Sequence, residues 1–159
     1  MRFTRRLTAA LALFAALAPL AVRAQVVQRN IYDATADARA DIQTALTAAQ
    51  REHKRVILDF GGNWCGDCIV LNYYFHQPPN ADLLTQNFVV VDIDIGRYDH
   101  NLDIARQYEI PLKLGVPALA VLAPSGQLLY SQRNGEFEKM RRMDPSAVTE
   151  FLNRWKPAS

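Results

Sequence analysis

Cysteine is scarce in this 159-residue chain: Cys65 and Cys68 are the only two. In an oxidising compartment such a pair is a structural disulfide, a redox pair or half of a metal site. Histidine is almost as sparse. His53, His76 and His100 are scattered without ligand spacing, whereas zinc wants about four ligands in a tetrahedral array, so no metal site is expected. The chain also lacks a Gly-rich phosphate loop, a Ser-His-Asp arrangement and a paired acid set, which removes the common signatures of phosphate binding and hydrolysis. The longest apolar run, Leu7 to Leu20, is shorter than the ~20 residues of a spanning helix. No internal repeat or low-complexity linker follows it. A basic surplus is missing too. The formal charge is +2, but four of the 18 basic residues and none of the 16 acidic ones lie in residues 1–24. The remainder carries 14 basic against 16 acidic residues, so nucleic acid is not an expected partner.

What is present suits one globular domain. Half of the residues are hydrophobic and 21% are charged, which excludes wholesale disorder, collagen-like repeats and a multi-span membrane protein. Arg2, Arg5 and Arg6 precede the apolar run, and Val22-Arg23-Ala24 puts small residues where a signal peptidase reads. Residues 1–24 are expected to be a cleavable signal peptide, leaving residues 25–159 as the mature domain. An uncleaved N-terminal anchor is the alternative. No cysteine near the cleavage point supports a lipoprotein.

Residues 26–34 are mixed, with room for a short edge strand. Ile42, Leu46 and Ala49 recur on one face of a helix predicted over residues 36–52, capped by Asp33 or Thr35. Val56-Ile57-Leu58-Asp59-Phe60 has the character of a central strand covered on both faces. A helix from Cys65 to about His76 ends at Pro78-Pro79. A short helical piece spans residues 81–86, a strand spans 88–95 and a helix spans 101–108. Two strands, 117–122 and 128–131, are joined by Pro124-Ser125-Gly126. Asp144 and Pro145 start a last helix that runs to about Trp155. The early alternation predicts parallel strands and the hairpin adds antiparallel ones, giving a mixed sheet between two helical layers.

Two residues of separation close too small a loop for Cys65 and Cys68 to stabilise much as a structural bridge, so reactivity is the better reading. Cys65 falls at a helix N-terminus, where free N–H groups and the dipole favour an anion by roughly 0.3–2 kcal/mol. Asp67 opposes this: a carboxylate ~6 Å away costs the thiolate roughly 0.7 kcal/mol in a water-like dielectric. The thiol is therefore expected to be only modestly acidic, which suits a reductant better than a strong oxidant. Cys68, one turn into the helix, should be more buried and act as the resolving thiol. Asp59 is the lone acid in an apolar strand, so burial should raise its pKa towards the range of a general base. An edge strand would instead leave it in water. Lys139, Arg141 and Arg142 read as a solvated loop.

Val56–Phe60, Trp64-Cys65-Gly66-Asp67-Cys68 and, some fifty residues on, Gly115-Val116-Pro117 together resemble the thioredoxin superfamily. The similarity is to exported thioredoxin-like proteins and to the reductase domain of periplasmic electron-relay proteins. It implies an α/β, thioredoxin-like fold: a mixed central β-sheet flanked by α-helices on both faces. It further implies a cis peptide at Val116–Pro117 against the cysteine pair, with the Val116 backbone receiving an extended substrate. Trp64, Gly66 and Asp67 would line the same surface, and Asp59 would match the family's buried acid. The implied activity is periplasmic thiol–disulfide exchange with protein or peptide substrates, in the reducing direction, through Cys65 and Cys68 and without a further cofactor. An upstream electron donor, for instance a membrane thiol relay, would restore the dithiol. A net oxidant or isomerase and a non-catalytic binding module are the alternatives. Asp67 stands where thioredoxins proper have proline, Ala118 where threonine is frequent, and Pro111-Leu112-Lys113-Leu114 lengthens the approach to Gly115 beside the expected groove.

Overall fold

The computed structural model describes residues 30–158. The expected signal peptide, residues 1–24, lies outside the described residues, as do residues 25–29. In chain order the elements are α1 (Ala38–Glu52), β1 (Arg55–Gly61), α2 (Gly66–Phe75), α3 (Asn80–Asn87), β2 (Phe88–Asp94), α4 (Leu102–Gln107), β3 (Ala118–Leu122), β4 (Leu128–Ser131) and α5 (Ser146–Trp155). Short 3-10 turns cover Leu112–Leu114 and Met140–Arg142.

The sheet has the order β2-β1-β3-β4, with β1 parallel to β2 and the remaining pairs antiparallel. Strand alternation sends successive residues to opposite faces. Val56, Leu58 and Phe60 of β1 join Ala38, Ile42, Ala45 and Ala49 of α1 and Ile104 and Ala105 of α4 in one core. Ile57, with Leu119 and Val121 of β3, meets Leu71 and Phe75 of α2 and Val148, Phe151 and Leu152 of α5 in the other. Helices thus cover both faces, as the alternation implied. The edge-strand alternative for β1 is overturned, because β1 lies between β2 and β3 and Asp59 keeps 1% of its surface.

The start of α1 differs from the expected one. Asp37 caps it, its carboxylate accepting from the Arg39 and Ala40 N–H groups. Asp33 and Thr35 are spent on each other: Asp33 Oδ1 accepts from the Thr35 N–H and hydroxyl in a local turn. Residues 30–34 form no strand; they dock on the loop after β1, as described below. At α5 the cap position falls on Pro145, which has no side-chain cap, rather than on Asp144 as expected; Asp144 Oδ1 accepts from the Ser146 N–H at 2.8 Å in the turn that leads in.

Candidate active site

The site gathers at the C-terminal end of β1, where Gly61-Gly62-Asn63-Trp64 leads into α2. Cys65 is the N-cap of α2, and its Sγ accepts the Cys68 N–H at 3.1 Å. The two cysteines form a disulfide across one helical turn, with Cα atoms 5.2 Å apart. Cys65 keeps 5% of its surface and Cys68 none, so Cys65 is the more accessible thiol, although less open than its place at the helix mouth suggested. The Val116 carbonyl oxygen lies 3.4 Å from Cys65 Sγ, and the Val116–Pro117 peptide is cis. Trp64 is 39% exposed. Its orientation is set by the indole N–H donating to the Gly96 carbonyl at 2.6 Å, by Tyr98 at 5.6 Å between centroids, and by Arg97 over the ring.

Asp59 lies on the same face of β1 as Gly61, two residues on. A methyl group at Gly61 would stand 2.3 Å from Tyr32 Oη and 2.9 Å from Cys68 Sγ, so only glycine lets these groups meet. Burial, and then the Asp92 carboxylate opposite in the β1–β2 register, push the Asp59 carboxyl well above the usual range; a hydrogen bond from Tyr32 offsets part of this. The structure therefore brings Asp59 to the Cys68 side of the pair, with the raised proton affinity expected from its strand.

Asp67 departs from expectation. It does not face Cys65 as a free carboxylate. Arg141 Nε and Nη2 donate to Oδ2 at 3.1 and 2.9 Å, and the Arg141 N–H donates to Oδ1 at 2.8 Å. Partial burial works against ionisation of Asp67, but the Arg141 hydrogen bonds and charge, with Arg142, outweigh it and hold the carboxyl below its ordinary range. Arg141 stays exposed, as a solvated loop implies, but its guanidinium also pairs with a carboxylate 74 residues away in the chain, which the sequence did not reveal. With the ionised Asp67 paired to Arg141, the helix N-terminus acts on Cys65 with less opposition than an unpaired carboxylate would give. Arg141→Gln is expected to raise the Cys65 thiol pKa by up to about one unit, and Asp67→Asn to lower it. The pH dependence of iodoacetamide alkylation of the reduced protein measures both; equal midpoints in all three proteins would remove the ion pair from the chemistry of Cys65.

Two further residues were missed. Gln132 is fully buried; its Nε2 donates to the Pro117 carbonyl and its Oε1 accepts the Leu119 N–H, both at 3.1 Å, bracing the Pro117 segment. Tyr32 is also fully buried, its hydroxyl 3.0 Å from Asp59 Oδ2. Neither carries a sequence signal: a glutamine after a strand and a tyrosine in a mixed segment are common. Next to Val116 in the chain, Gly115 helps line a cleft of about 770 Å³ together with Tyr98, Leu102, Ile110, Leu112 and Leu114, and with the basic residues Arg106 and Lys113. The Pro111–Leu114 insertion thus borders the groove. Among the described residues no group of three or more His, Cys, Asp or Glu is arranged to hold a metal ion.

Comparison with known proteins places this geometry. The thioredoxin-like family matches residues 37–124. The chain belongs to that family. A crystal structure of a disulphide isomerase from Xylella fastidiosa Temecula1 superposes with a TM-score of 0.74 at 35% identity, covering 78% of this chain and 95% of that one. The thiol:disulfide interchange protein DsbD of Pseudomonas fluorescens is 30% identical over 129 residues, 76% of this chain and 19% of that protein. The chain thus spans about a fifth of that curated relative's length. The germline-specific thioredoxin Deadhead of Drosophila melanogaster, with a TM-score of 0.53 at 20% identity over 74% of this chain and 93% of its own, shares the fold. Fold, family and the Cys65–Cys68 pair make this a thioredoxin-like thiol–disulfide oxidoreductase domain. Tyr32, Gln132 and Arg141 all lie outside the matched residues 37–124.

Proposed function

We propose that the protein is exported and, in the periplasm, reduces disulfides of protein or peptide substrates. The Cys65–Cys68 disulfide at the N-terminus of α2, flanked by the Val116 carbonyl and backed by buried Asp59, carries this reading. In the dithiol form the Cys65 thiolate, favoured by the Cys68 N–H and the helix terminus, attacks a substrate disulfide. One substrate sulfur leaves as a thiolate and a mixed disulfide forms. Asp59 takes the Cys68 proton, and the Cys68 thiolate attacks Cys65 Sγ. The mixed disulfide breaks, the second substrate thiol is released, and Cys65–Cys68 is left oxidised. A two-electron donor, in this reading a membrane thiol relay, restores the dithiol. No further cofactor enters the scheme.

Trp64, Gly66, Asp67, Val116 and Pro117 form the substrate-facing surface, with an extended segment pairing on the Val116 backbone. The cleft bounded by Tyr98 and Leu114 receives an apolar side chain from that segment. Export rests on Arg2, Arg5, Arg6 and the following apolar run, with cleavage near Ala24 giving a domain of residues 25–159. An isomerase is the second reading. It is favoured by Arg141, which lifts the Asp67 charge from Cys65 and so makes the pair less reducing, and by the 35% identity to the Xylella fastidiosa protein.

Expression in a Gram-negative host should yield a periplasmic chain beginning at Gln25. Equilibrated with glutathione buffers, it should show a reduction potential between about −270 and −200 mV; a value near about −180 mV selects the isomerase and one near about −120 mV a net oxidant. A chain that keeps residues 1–24 in the cytosol, or never exchanges with glutathione, refutes the proposal.

A further inference from the structure

Among the described residues before α1, Tyr32 is the one whose side chain meets the buried acid of the reactive centre. Tyr32 Oη donates to Asp59 Oδ2 at 3.0 Å inside the protein. It also stands beside Cys68 Sγ, both atoms crowding the same face of Gly61. Asp59 Oδ1 is buried and has no hydrogen-bond partner among the described residues. Buried oxygens are nearly always paired, and an exception calls for a functional account. The two oxygens are therefore unequal: one is occupied by Tyr32 and the other is open.

Tyr32 is itself held from the active-site loop. Asn63, two residues before Cys65, accepts the Ile31 and Tyr32 N–H groups on Oδ1 at 2.8 and 3.0 Å and donates from Nδ2 to the Tyr32 carbonyl at 2.7 Å. One amide thus fixes both backbone groups of Tyr32, and the Asp33–Thr35 turn follows at once. This arrangement has no local purpose in capping α1, which Asp37 does alone.

We propose that Tyr32, clamped by Asn63, is a positioning residue for Asp59: its hydroxyl holds Oδ2 and leaves Oδ1 as the atom that takes the Cys68 proton. The inference rests on the reading of Cys68 as resolving thiol and Asp59 as its base. The groups that bear on Asp59 are Tyr32, Asp92 on the adjacent strand and, further out, Asp94 and His76, which act on Tyr32 and Asp92 respectively; Cys68 Sγ lies beside Tyr32 at the Gly61 face. Tyr32 donates the one hydrogen bond that favours the carboxylate; burial and Asp92 oppose it. Removing the hydroxyl therefore makes Asp59 hold its proton to higher pH, and the resolving step needs a more alkaline solution.

The test is Tyr32→Phe, which keeps the ring and removes only the hydroxyl. Stopped-flow release of substrate from a preformed mixed disulfide on Cys65, followed from pH 5 to pH 9, should show the acid limb displaced upward by about one pH unit. The first step, attack by Cys65, should keep its rate. In an Asp59→Asn background Tyr32→Phe should leave the resolution profile unchanged, because a residue that acts through Asp59 has nothing left to position. An unmoved limb in Tyr32→Phe, or an equal displacement with and without Asp59, overturns the inference. Failure of the underlying function looks different, since the wild type would then form or resolve no mixed disulfide.

Discussion

Cys65→Ser is expected to bring insulin-disulfide reduction down to the uncatalysed background, while Cys68→Ala is expected to stop one step later and accumulate mixed disulfides. The asymmetry follows from position. Cys65 caps α2, receives the Cys68 N–H, and is the cysteine with surface left to meet a substrate. A thiolate is the attacking species in disulfide exchange, and a serine hydroxyl does not replace it at neutral pH. Cys68 is sealed behind it against Gly61, so it cannot start the reaction, but it is placed to end it. Its loss leaves the bond between Cys65 and substrate without an internal attacker. Non-reducing gels of Cys68→Ala incubated with extracts would show Cys65-linked adducts, and the adducts name the substrates. Insulin reduction by Cys65→Ser at the wild-type rate would exclude the mechanism. Adduct formation by Cys68→Ala and Cys65→Ser alike would mean the roles are not divided as described.

Asp59→Asn is expected to slow resolution about 10–100-fold near neutral pH, the usual worth of a well-placed general base, while making the protein more stable. Both effects come from one cause. Burial and the neighbouring Asp92 raise the folded-state proton affinity of Asp59 well above that of the unfolded chain. A group with a raised pKa supports the fold fully only below its unfolded value, about pH 3.9. That support is lost as pH climbs towards the folded value. Wild type therefore gives up stability across this range, and asparagine, of nearly the same shape and without the charge, does not. Thermal unfolding of the oxidised proteins at pH 4 and pH 8 should show the variant's advantage grow with pH, as its kinetics lose their acid limb. A variant as fast as wild type at pH 7 would take Asp59 out of the reaction. A constant difference in melting temperature would contradict its burial as a titrating acid.

Much of this was readable along the chain. The β-rich run around Asp59, the break at Gly61-Gly62 and the cysteines at the start of α2 are local signals, and they put Asp59, Cys65 and Cys68 within ten residues. Helix faces and strand alternation fix which residues go inward over a few positions, so the layered fold followed from them as well. The cap of α1 was misplaced because Asp33, Thr35 and Asp37 are all competent caps, and only the turn between the first two decides which is free.

What escaped were contacts across long separations. Tyr32 reaches Asp59 over 27 residues and Arg141 reaches Asp67 over 74. The charge beside Cys65 and the environment of the base are sums over whatever the packing brings near, and no pattern of spacing along the chain encodes them. The reactive sulfurs were thus written in the linear order of residues, since a helix start and a two-residue gap suffice to set them. How acidic they and their base become was left to the folded molecule, because electrostatics depends on distance in space and on the water that packing removes.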